Sequence, residues 1–139
     1  MAHVILTVGD FPRARAFYGE LLPFLGLTPV VDSPEYYYCV GGRTALGLRP
    51  APAAHARERF AQDRPGLHHL CFRARSRDDV DAVHALLVGR GARIVHPPRE
   101  DGFAPGYYSV LFEDPEGIRL EVNFVPGRGL LEPGVRRPA

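Results

Sequence analysis

The sequence predicts an α+β domain made of two tandem βαβββ modules, and three observations predict it. First, the strand-like runs His3-Val4-Ile5-Leu6-Thr7-Val8 and Gly66-Leu67-His68-His69-Leu70-Cys71-Phe72-Arg73-Ala74 carry a histidine at the same place in the same alternating pattern. Successive strand side chains point to opposite faces. Val4, Leu6 and Val8 therefore share a core-facing side, with His3, Ile5 and Thr7 opposite; Leu70, Phe72 and Ala74 likewise oppose His69, Cys71 and Arg73. Second, each run is followed by one helical stripe and then three further strand-like runs. Third, the offsets agree: His69 follows His3 by 66 positions (69 − 3), and Gly91 follows Gly26 by 65 (91 − 26).

In chain order, Gly9-Asp10 turns the chain after the first strand, with Asp10 as N-cap and Pro12 in the first helical turn. Ala14, Phe17, Tyr18, Leu21 and Leu22 form the apolar stripe of a helix over Arg13 to Leu22, which Pro23 ends or kinks and Gly26 closes. Strands are expected at Leu27 to Val31, Tyr36 to Val40 and Thr44 to Leu48. Pro50 to Pro65 is a connector with a short helical option over Ala53 to Phe60. The second helix, Arg77 to Arg90, has Val80, Val83, Leu86 and Leu87 as its stripe. Arg93-Ile94-Val95 is a strand, and Pro97 to Pro105 reads as a lid-like loop too irregular for a sheet. Gly106 to Phe112 and Ile118 to Phe124 complete the module around the turn Asp114-Pro115-Glu116-Gly117. Residues 1–125 thus form one domain (module one 1–49, linker 50–65, module two 66–125), and 126–139 is an exposed C-terminal tail.

The 139 residues are enough for one real core, with 45% hydrophobic and 24% charged side chains. A net charge of +1 gives no electrostatic case for nucleic acid or an anionic membrane as partner. No apolar run reaches the roughly 20 residues of a membrane span, and a cytoplasmic location is expected. Cys39 and Cys71 read as two reduced core thiols.

In the last strand Arg119, Glu121 and Asn123 oppose the apolar Ile118, Leu120, Val122 and Phe124. A mid-strand carboxylate is costly to bury unless it is paired or bound to a cation. His3, His69 and Glu121 occupy non-core faces of strands at equivalent edges of the two copies. Two imidazoles and one carboxylate suit a divalent ion with open positions for substrate. The plainer alternative makes His3 an N-terminal surface residue and Glu121 an exposed strand charge. His68 has the opposite strand parity from His69 and reads as structural. His96 either lines the site or is exposed, whereas His55 and His84 read as surface residues. Arg119 either binds an anionic substrate or neutralises Glu121. Tyr36-Tyr37-Tyr38 reads as sheet packing before substrate platform, and Arg99, Glu100, Asp101 and Phe103 lie in the lid-like loop.

Three motifs fall in order: His3-x-x-Leu6-x-Val8-x-Asp10 followed by Ala16-Phe17-Tyr18; Gly66-Leu67-His68-His69; and Asp114-Pro115-Glu116-Gly117-Ile118-Arg119-Leu120-Glu121-Val122. Together they resemble the vicinal oxygen chelate superfamily, which includes glyoxalase I, bleomycin- and fosfomycin-resistance proteins and extradiol dioxygenases. The resemblance spans His3 to about Phe124. It implies a cup-shaped mixed sheet around a divalent metal (Fe, Mn, Zn or Ni) held from the first and last strands of the modules, where His3, His69 and Glu121 fall. The fourth ligand of glyoxalase I would fall at Gly47, which has no side chain, so the donor set is closer to the three-ligand dioxygenases and fosfomycin transferases. Those carry a metal-facing tyrosine where this chain has Leu111, with Tyr107 and Ser109 on the same face. The candidate substrate-binding residues are Tyr107, Ser109 and Leu111 from this resemblance and Arg119 and His96 from the residues themselves, and no catalytic residue is assigned.

The function expected from this resemblance is a glyoxalase/dioxygenase-like metalloenzyme, a lyase or isomerase or else an oxidoreductase of the extradiol type. It would act on a small oxygenated metabolite and form a homodimer. The alternative is a metal-free, bleomycin-resistance-type protein that binds or sequesters a ligand.

Overall fold

Local chemistry sets the element ends in the computed structural model, which describes residues 1–135. Strand β1 is His3–Val8 and helix α1 is Phe11–Phe24, opened by Asp10, whose side chain accepts from the Arg13 N–H at 3.1 Å. Pro23 lies inside the last turn, and the helix runs on to Phe24. Strands β2 (Thr28–Asp32), β3 (Tyr37–Val40) and β4 (Ala45–Pro50) follow. The second copy is β5 (Leu70–Arg73), α2 (Arg77–Gly89), β6 (Arg93–Glu100), β7 (Tyr108–Glu113) and β8 (Arg119–Phe124). In α2, Ser76 and Asp79 form a reciprocal capping box with both bonds at 3.1 Å. Gly26 (φ 84°) and Gly91 (φ 65°) follow the two helices in left-handed geometry, the physical basis of their recurrence at matching offsets.

The fold is α+β, with the order βαβββ twice. Its two four-stranded mixed sheets have corresponding strand orders, β1-β4-β3-β2 and β5-β8-β7-β6. In each, the module's first and last strands run parallel and the other neighbours antiparallel. Helix α1 packs on β2, β3 and β4, and α2 on β6, β7 and β8. The first core gathers Leu6, Val8, Ala14, Tyr18, Leu21, Leu22, Tyr37, Cys39, Leu46 and Leu48; the second gathers Val80, Val83, Leu87, Val110, Phe112, Leu120 and Val122.

Two compact units result: Met1–Ala61 with Asp114–Ile118, and Gln62–Glu113 with the chain from Arg119 onward. The β7–β8 turn therefore belongs to the first unit. Glu116 accepts from the Gly9 N–H at 2.9 Å and the Asp10 N–H at 3.2 Å. The buried Tyr18 hydroxyl donates to Asp114 at 2.7 Å, while the other Asp114 oxygen accepts from Glu116 and Ile118 N–H groups at 2.8 Å.

Several expected boundaries differ. The Ala53–Phe60 helix does not form, and residues 51–69 run as turns and irregular chain. Pro97–Glu100, expected in a loop, extends β6, an edge strand that bulges twice against β7. An edge tolerates proline because its outer N–H row has no partner to lose. β5 has four residues, so His68 and His69 precede it. The segment after β8 turns through a short 3-10 element at Gly129–Leu131, and 136–139 of the expected tail lie outside the described residues. Among the described residues, no helix is long and apolar enough to cross a membrane.

Candidate functional site

Directly opposed residues in a ladder share a sheet face, so register assembles the site of the second unit. Across β5, β8, β7 and β6, one row is Cys71, Glu121, Leu111 and, past a bulge, His96. The next is Arg73, Asn123, Ser109 and Arg99, and on the other side lie Arg119, Glu113 and Arg93. This is the face away from α2, and its centre is buried: Glu121 is 8% exposed, Asn123 7% and Ser109 1%.

A buried carboxylate needs donors, and Glu121 has them. The Tyr107 hydroxyl donates to Oε1 at 2.5 Å, and His69 Nε2 lies 3.2 Å from Oε2. Burial, then the bond to Glu121, raises the Tyr107 hydroxyl above its usual range, while Asn123, bonded to the same hydroxyl, pulls it back. Cys71, placed among core thiols by sequence, lies instead on this face with exposed surface; only Cys39 is in a core. Desolvation and the Glu121 charge push the Cys71 thiol up to about 12, so it stays protonated at neutral pH.

His69 is oriented by a neighbour. Its Nδ1 is 2.7 Å from His68 Nδ1, and His68 Nε2 is 2.8 Å from Gln62 Nε2. Because these two residues precede β5, strand parity does not separate them, and His68 holds His69 with Nε2 turned to Glu121. His3 starts β1 in the first unit, exposed and in register with Ala45. Among the described residues, no group of three or more His, Cys, Asp and Glu side chains is placed to hold a metal ion.

The other expected contacts take definite places. Arg119 lies 3.6 Å from Glu113, which also pairs with Arg93 at 3.1 Å, so the carboxylate it neutralises is Glu113. His96 is half-buried, with Nδ1 on the Pro97 carbonyl at 2.9 Å. Leu111 is opposite Glu121. Ser109 Oγ is buried with no hydrogen-bond partner among the described residues, a deficit of about 1–3 kcal/mol. Arg99 pairs with Asp101 at 3.1 Å, and Phe103 is exposed with its ring edge on Tyr107 at 5.4 Å. Sequence reasoning passed over Asn123 and Arg73 as site residues; their signal was the same alternation that singled out Glu121.

The first unit has an equivalent row, Ile5, Gly47 and Tyr38, in the same register as Cys71, Glu121 and Leu111. A Cβ on Gly47 would meet Tyr38 Cδ2 at 2.7 Å, Ile5 Cδ1 at 2.8 Å and the Tyr36 hydroxyl at 3.1 Å. Tyr36 and Tyr38 stack at 5.8 Å. Side chains thus fill the place where a second carboxylate would stand.

A family model described as the glyoxalase/bleomycin resistance protein/dioxygenase superfamily matches residues 1–122. The uncharacterized protein YqjT of Bacillus subtilis (strain 168) is 31% identical over 124 residues, covering 88% of this chain and 96% of that protein. A Bacillus halodurans protein provisionally named a glyoxalase has a crystal structure similar to this chain at TM-score 0.81 and 29% identity, covering 90% of this chain and 95% of that one. A lactoylglutathione lyase from Agrobacterium tumefaciens is similar at TM-score 0.64 and 25% identity, covering 89% and 92%.

Proposed function

Since the chain belongs to the glyoxalase/bleomycin resistance protein/dioxygenase superfamily, we propose that it is a metal-dependent enzyme acting on a small oxygenated metabolite, with His3, His69 and Glu121 as the ligands. The observation that carries this reading is the 3.2 Å between His69 Nε2 and Glu121 Oε2. Two atoms ligating one ion at about 2.0–2.2 Å each lie about 3.0–3.5 Å apart, so this spacing suits neighbouring ligands as well as a hydrogen bond. The donor types fit a divalent ion of the Fe, Mn, Zn or Ni group.

An ion held there supplies Lewis acidity toward neighbouring substrate oxygens or, with iron, dioxygen activation. The chain's own residues set its surroundings. Tyr107 keeps its proton and fixes Oε1 of Glu121, leaving Oε2 toward His69. His68 engages His69 Nδ1, which leaves Nε2 as the nitrogen facing Glu121. Gly47 supplies no carboxylate, which supports a three-donor set over the four-donor arrangement of glyoxalase I.

Metal-free ligand binding is the second reading. It is favoured by the same carboxylate being satisfied by Tyr107 and His69 alone. Elemental analysis of untagged protein purified without chelator, beside Glu121→Ala, separates the two. About one divalent ion per chain, lost in the variant, is expected, and its identity divides lyase or isomerase chemistry from oxygenase chemistry. If neither protein takes up Fe(II), Mn(II), Ni(II) or Zn(II), binding without metal is the better account.

A further inference from the structure

The cations on the Glu121 face are not equivalent. Arg119 and Arg93 share Glu113, and Arg99 pairs with Asp101 at 3.1 Å. Arg73 differs. Its Nη1 donates to the Val125 carbonyl at 3.4 Å, and no described carboxylate pairs with it. It stands one row from Glu121, two positions along β5 from Cys71, which is directly opposite Glu121.

Directly opposite Arg73 is Asn123, buried, its amide engaging the Tyr107 hydroxyl with further hydrogen-bonding capacity beyond that one bond. Beyond Asn123 on the same row is Ser109, whose buried hydroxyl makes no bond to any described group. A guanidinium fork, a buried amide and an orphaned hydroxyl in one register row, beside a carboxylate already held by its own donors, call for a planar, acceptor-only anion. One fork without a second unpaired cation suits a carboxylate better than a phosphate dianion.

We propose that Arg73 and Asn123 form a carboxylate subsite beside Glu121, so that the substrate is a small carboxylic acid. The inference rests on Glu121 as the centre of the functional site. The metal reading it accompanies has its own test in the elemental analysis.

The probes are 2-oxobutanoate and its neutral isostere 2-oxobutanamide, titrated by calorimetry and NMR into wild type and Arg73→Gln, each before and after metal loading. The acid is expected to bind at least about tenfold more tightly than the amide and to shift the Arg73 and Asn123 side-chain resonances. Arg73→Gln erases that preference, lowering the acid's affinity at least about tenfold, toward that of the amide. Arg73 is exposed, and an unchanged thermal midpoint in the variant confirms folding. Equal binding of the two probes, no shift at Arg73 with tens of millimolar acid, or a preference that survives in Arg73→Gln overturns the proposal. So does tighter binding of inorganic phosphate than of the acid. An Arg73-dependent preference in protein that takes up no ion keeps the subsite and removes the metal. Metal uptake without the preference does the reverse.

Discussion

Tyr18→Phe removes one hydroxyl and nothing else from the first core. Tyr18 is 0% exposed and Asp114 5%, and the lost bond is the 2.7 Å donation to Asp114 Oδ2. The other oxygen keeps its N–H donors at 2.8 Å, so the variant leaves half of a buried carboxylate without a donor. Losing a hydrogen bond to a charged group costs about 1.5–3 kcal/mol, which lowers the melting midpoint by roughly 5–12 °C in a chain of this size. The cost depends on pH with a definite sign. Desolvation raises the Asp114 carboxyl above its ordinary 3.8, and the Tyr18 and backbone donors pull it back. For an acid raised in the folded state, the stabilisation by proton uptake is complete below the ordinary value and is lost as pH rises through the folded value. Without Tyr18 the carboxyl rises further, and once protonated it no longer needs that donor. The difference between wild type and variant is therefore largest at neutral pH and shrinks as pH falls toward 4. Urea unfolding at pH 7 and at lower steps, followed by circular dichroism, reads it. A difference below about 0.5 kcal/mol at pH 7, or one independent of pH, refutes the reasoning.

Gly9→Ala brings a Cβ to 2.3 Å from the Ala56 carbonyl oxygen, a backbone atom with little freedom to yield. A loss of about 1–3 kcal/mol is expected in the same unfolding assay. Gly47→Ala meets side chains instead, with Tyr38 at 2.7 Å and Ile5 at 2.8 Å, so its cost falls when Tyr38→Ala is added. A double-mutant cycle with zero coupling would contradict that packing. Cys71, with its thiol near 12, is expected to react with iodoacetamide at pH 8 at least about a hundredfold more slowly than a free cysteine. Glu121→Gln, which removes a neighbouring charge, speeds that alkylation, and mass spectrometry of the modified peptide gives both rates.

The repeated βαβββ order was legible because stripes and alternation survive in a single sequence, and because a left-handed glycine is needed behind each helix. What escaped depended on partners. Pro97-Pro98 reads as a breaker, and only the edge position of β6 makes it acceptable as strand. The connector's helical option lost because local pattern carries no information on what that segment packs against. In the site, Glu121 stood out as a carboxylate between apolar neighbours, and Tyr107 as a residue on its side of the sheet. Period-2 reasoning does not reach His68 or His69, which both precede β5, and the structural reading of His68 rests on its contact with His69 instead. The pairing of Arg119 with Glu113 was hidden too, since cross-strand register cannot be read from spacing along one strand.

The loan of the Asp114–Ile118 turn to the first unit bears on how the chain emerges from a ribosome. Glu116 is 107 residues beyond Gly9, and Asp114 is 96 beyond Tyr18. A nascent chain that has exposed only its leading half lacks the carboxylates that hold the Gly9 and Asp10 N–H groups and satisfy Tyr18. The strands of the first sheet are all made by Pro50, but the partners of Gly9, Asp10 and Tyr18 come only after β7. N-terminal units commonly fold first during synthesis. Here the earliest-made unit is among the last to be finished, and a stalled or truncated chain ending in the second module leaves both halves open to misassembly.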